Sequence, residues 1–67
     1  MDHEIEAIKC RIVDMQVEHH DLDVIITKLL ENPYPDQLQL KRLKRRRLQL
    51  KDMITKLKEQ LIPDILA

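Results

Sequence analysis

The residues best placed to do chemistry gather in Lys41-Arg42-Leu43-Lys44-Arg45-Arg46-Arg47, six positive side chains in seven positions. Such density suits a polyanion, because lysines and arginines that neutralise phosphates release condensed counterions. The same stretch carries a leucine stripe at helical spacing, from Leu40 through Leu43 and Leu50 to Ile54, and a stripe of that kind packs against another helix. The two readings claim different side chains. The helix that carries the run decides between them.

Other chemistry is scarce. His19 and His20 are adjacent, so on a helix they point about 100° apart and cannot grip one metal ion together, and neither Cys10 nor His3 supplies the missing spacing. No metal site and no cofactor is expected. Carboxylates are plentiful, but a two-helix chain offers no concave pocket of useful size to desolvate them, so an enzyme is not expected. The chain of 67 residues has no Gly, Ser, Phe or Trp, and Tyr34 is its one aromatic residue. That removes phosphate-cradling glycine loops, serine nucleophile elbows and any aromatic platform for single-stranded nucleic acid.

The elements that must position these residues are two helices. The first is expected over about 2–31, with Asp2 as N-cap and Glu4 and Glu6 favourable near the positive end of the helix dipole. Its seam, Ile5, Ile8, Ile12, Met15, His19, Leu22, Ile26 and Leu29, advances in alternating three- and four-residue steps. The turn at 32–35 holds Pro33 and Pro35, which remove backbone donors and push Asn32 and Tyr34 out of helical geometry. The second helix is expected over about 36–62, with Asp36 as N-cap and Gln39 completing a capping box, or with Pro35 at its first position. Pro63 ends it and 63–67 forms a tail.

Its seam is Leu40, Leu43, Arg47, Leu50, Ile54, Leu57 and Leu61. Folding the chain at Tyr34 pairs 29 with 40, 26 with 43, 22 with 47, 19 with 50, 15 with 54, 12 with 57 and 8 with 61, and the two numbers in every layer sum to 69. Each layer joins an a-type to a d-type position, as an antiparallel coiled coil requires. The fold class is therefore all-α: one helical-hairpin domain spanning 1–67.

This register sorts the basic run. Arg47 enters the seam opposite Leu22, close to Glu18, Asp21 and Asp23. Lys44 and Arg46 flank the seam, with Lys44 expected near Asp23. Lys41, Arg42 and Arg45 point outward, and with Arg46 they are the candidate polyanion contact. His19 faces Leu50 as the other polar seam residue, and a polar seam position commonly sets register at some cost in stability.

Charge follows the same division. Residues 1–36 carry nine acids against three bases, and residues 37–67 carry nine bases against three acids, for a net charge of zero. Halves that neutralise each other are expected to lie together. A second stripe on the first helix, Cys10, Val13, Val17, His20 and Val24, also keeps three- and four-residue steps. On a lone hairpin it would face water. Two helices bury little, so self-association is expected, with a dimer forming a four-helix bundle.

No apolar run exceeds three residues, so no membrane span is expected. The basic helix's apolar face is claimed by the first helix, which disfavours a membrane-surface role. The acidic start Met-Asp-His-Glu-Ile-Glu is unlike a signal peptide, and a single cysteine suits the cytoplasm.

The assembled residues His19-x-x-Leu22-Asp23-x-x-Ile26 and Leu43-Lys44-Arg45-Arg46-Arg47-Leu48-Gln49-Leu50-Lys51-Asp52-Met53-Ile54 resemble the YdcH-type family of small bacterial proteins, a domain of unknown function, over about residues 16–60. The resemblance implies a small cytoplasmic helical hairpin and brings no biochemical activity with it. It also implies a charge frame in which Asp23 faces the basic run while Lys51 and Asp52 meet neighbours on their own helix or a partner subunit. Where the family pattern leads one to expect polar or acidic residues, this chain has Ile25, Leu30, Arg46 and Met53. Ile25, Leu30 and Met53 widen the apolar face and join Cys10, Val13, Val17 and Val24 as candidates for self-association. The leading expectation is a self-associating module that presents a charged helical surface to a protein partner. The alternative is a weak, sequence-independent nucleic-acid binder.

Overall fold

The structure, a computed structural model, describes residues 2–61, with Asp2 described by its backbone alone. Two helices account for nearly all of it: α1, Asp2–Glu31, and α2, Gln37–Leu61. Both are rich in Leu, Ile, Glu, Gln and Lys, which lose little rotamer freedom in a helix, and neither contains glycine or proline. The capping side chain expected of Asp2 lies outside the described residues, as do Ile62, the stop at Pro63 and the tail.

The turn is held by two short polar side chains. The Asn32 N–H donates to the Leu29 carbonyl at 3.2 Å, closing the last turn of α1. Asn32 Oδ1 then accepts from the Tyr34 N–H at 3.0 Å, an Asx turn that bridges Pro33. At the far side Asp36 Oδ1 accepts from the Leu38 and Gln39 N–H groups at 3.0 and 3.1 Å, and the Asp36 carbonyl accepts from Leu40 N–H at 2.9 Å. Asp36 is therefore the N-cap of α2, worth about 0.5–2 kcal/mol, and Pro35 stays outside the helix rather than opening it.

The helices fold back on each other as a hairpin of 49 × 20 × 15 Å. Its core is the expected seam. Ile12, Met15, Leu22, Ile26, Leu40 and Leu50 are buried. Ile8, His19, Leu29, Leu43, Arg47, Ile54, Leu57 and Leu61 are half-buried between them. Ile5 is the exception: it was expected in the seam but is 44% exposed. Met53, expected on the self-association face, instead packs half-buried against the cluster of Met15, Leu22 and Leu50. Its long, flexible side chain reaches back over the flank of its own seam.

Candidate functional site

Two ion pairs tie the basic run to α1. Arg46 donates from Nε to Glu18 Oε2 at 2.8 Å and from Nη2 to Glu18 Oε1 at 3.3 Å. Arg47 donates from Nη1 to Asp23 Oδ1 at 2.7 Å. Arginine suits both contacts because its planar fork can match a carboxylate edge. Asp23 lies within the expected reach of both Lys44 and Arg47, and Arg47 takes it. The stem of Arg47 lies in the seam, so its head emerges next to the carboxylate one residue from its layer partner, Leu22.

Arg46, at its expected place flanking the seam, is engaged by Glu18, which leaves Lys41, Arg42 and Arg45 of the candidate polyanion contact exposed, with no ion pair among the described residues. The hydrogen bonds from Arg46, with its positive charge, hold the Glu18 carboxyl below its ordinary pKa. The same contact raises the Arg46 guanidinium above its own. A depressed carboxyl pKa contributes stability above the unfolded-state value, and that contribution is lost as pH falls through the folded-state value. Wild type and Glu18→Gln should thus differ in melting temperature at pH 7, and the gap should shrink as pH falls below the ordinary glutamate value of about 4.3. Paired thermal melts across that range check it; a gap that persists in acid would remove the ionic explanation.

His19 and Arg47 converge on one carboxylate. His19 Nδ1 stands 3.7 Å from Asp23 Oδ2, longer than a hydrogen bond but within the reach of an ion pair if the ring is protonated. Asp52, one of the charge-frame positions, pairs with Lys56 one turn ahead at 3.2 Å. Lys51 makes no ion pair among the described residues.

The arrangement also opens a groove of about 730 Å³ along one side of the hairpin. A useful concavity was not expected of two helices. It forms because Lys44, Lys51 and Lys58 line one edge of α2 while Gln16, His19 and Asp23 of α1 form the other, with Leu48 and Ile54 between lysines. The groove is open along its length, which does not suit desolvated chemistry. Among the described residues no group of three or more His, Cys, Asp or Glu side chains could hold a metal, and no helix is long and apolar enough to cross a membrane.

The outer face of α1 carries the second stripe. Val13 and Val17 are each 56% exposed, and Cys10, His20, Val24, Ile25 and Leu30 also face water. Lys58, Leu48 and Gln16 were missed as site residues by sequence reasoning. The signal was present in the seven-residue recurrence of Lys44, Lys51 and Lys58, but the density of Lys41–Arg47 drew attention away from it.

A model of a protein family described as of unknown function, DUF465, matches residues 14–58. The YdcH-type resemblance is consistent with that match, which covers both helices and the turn. No curated protein matches the chain, and no solved structure does.

Proposed function

Because the chain belongs to the DUF465 family, whose function is unknown, we propose from its own surfaces that it is a self-associating protein-interaction module. Two hairpins close over the outer face of α1 to make a four-helix bundle. The observation that carries this reading is the stripe of Val13, Val17 and Val24, uncovered on a hairpin with six buried apolar side chains among the described residues. Small domains bury too little to be robust alone, and a second packed layer is the usual remedy. A second copy also fits the charges at the border of the stripe. Asp14 and Asp21 stand exposed beside the valines, while Arg42 and Arg45 stand exposed on α2.

The reading assigns no catalysis. Asp23, the carboxylate that lines the groove, and Glu18 are each engaged by an arginine. It places the protein in a reducing cytoplasm, which suits an exposed free thiol at Cys10. Polyanion binding is the second reading, favoured by the three outward cations Lys41, Arg42 and Arg45 and weakened by the capture of Arg46.

The test is the oligomeric state. Sedimentation equilibrium at micromolar concentration should give twice the 8.1 kDa chain mass. Val17→Asp should shift the population to monomer, because a charge buried at an apolar interface is strongly disfavoured. Val17 is exposed in the hairpin, so the fold itself should survive the change. A wild-type chain that sediments as a monomer would overturn the reading.

A further inference from the structure

We propose that the lysine-edged groove beside the seam is the seat for an acidic amphipathic helix from a protein partner. This rests on the interaction-module reading but not on self-association. Lys44, Lys51 and Lys58 are seven residues apart, close to two helical turns, so they line a single edge of α2 about 10 Å from one to the next. None of the three makes an ion pair among the described residues. The carboxylate that lines the groove is already committed, Asp23 to Arg47. The groove thus carries four cations, Arg47 included, against one carboxylate that is itself engaged.

Leu48 lies between Lys44 and Lys51 on the groove wall and is 68% exposed, so an apolar contact point sits between two positive ones. A repeat of charge, apolar residue, charge at seven-residue spacing matches the edge of another helix, where e and g positions choose the partner by charge. Glutamates seven residues apart on an incoming helix would meet the lysines one for one, with a leucine between them over Leu48. A nucleic-acid strand is a poorer match. Its phosphates recur about every 3.4 Å along the axis, leaving most of them without a lysine. Its bases would find no aromatic side chain in the groove, since Tyr34 lies at the turn.

The experiment uses the full chain and a labelled helical peptide of three heptads, with Glu at seven-residue intervals and Leu between, read by fluorescence anisotropy. The peptide should bind wild type, and Lys51→Glu should weaken it by about tenfold or more, because like charges then face each other. A peptide in which only the glutamate opposite position 51 is changed to Lys should recover part of its binding to Lys51→Glu. Unchanged circular dichroism would show that the variant still folds. No binding to wild type, binding undiminished in Lys51→Glu, or tighter binding of a DNA duplex than of the peptide would each overturn the proposal. Running the peptide against Val17→Asp separates the two surfaces. Retained binding supports the groove whether or not the chain dimerises; binding lost with Val17 would place the seat on the valine stripe and overturn it.

Discussion

Leu50→Ala should lower stability by about 2–5 kcal/mol, the range for truncating a leucine in a packed core. Leu50 is the most enclosed side chain among the described residues, at 0% exposure, and it packs with Met15 and Leu22 at the centre of the seam. Within the hairpin no further layer lies behind Leu50 from which to refill the void. Its total stability is a few kcal/mol at most for a core of this size, so the variant is expected to lose its cooperative thermal transition by circular dichroism. Leu48→Ala is the matched control. Leu48 lies two residues away on the exposed side of the same helix, and its loss should change stability by no more than about 0.5 kcal/mol. Two leucines of equal hydrophobicity, separated only by helix face, should differ several-fold in cost. A Leu50→Ala variant that melts like wild type would break the layer register on which the hairpin rests.

That register was legible in the sequence because it needs only backbone periodicity. Ile8 to Leu29 and Leu40 to Leu61 recur at coiled-coil steps, two prolines interrupt them, and Asp36 supplies the oxygen that restarts the helix. None of this depends on where a long side chain points. The pairing of Asp23 did depend on it. Lys44 and Arg47 both pass near that carboxylate in the register, and the choice turns on how far an arginine stem bends from the seam to the rim. Met53 was misplaced for the same reason, since a flexible thioether at a flanking position can turn inward or outward. The groove was hidden because it belongs to neither helix alone. It appears only when the lysine edge of α2 is set beside Gln16, His19 and Asp23 of α1.

Asp23 is the single anchor for both polar seam residues, which yields the second large prediction. Arg47 bonds Asp23 directly and His19 stands 3.7 Å from it, so one half-exposed carboxylate stands beside the polar side chains of two adjacent layers. Replacing both by leucine, in His19→Leu/Arg47→Leu, fills those layers with apolar side chains opposite Leu50 and Leu22. Exchange of interior ion pairs for well-packed apolar groups is often stabilising, and for this half-exposed pair a gain of roughly 1–2 kcal/mol is expected. Asp23 is left hydrated rather than stranded, because nearly half of its side chain faces solvent. The gain should cost specificity. With no polar layer to fix which helices meet and in what register, the double variant should melt higher yet sediment as a mixture of assemblies. Asp23→Ala should do the reverse, lowering the melting temperature slightly while leaving one assembly, since Arg47 can still reach water from the rim. If the double variant is less stable than wild type, the pair is held for stability and not for register. If it is more stable but still sediments as one species, the alignment of α1 on α2 is set by the apolar layers alone.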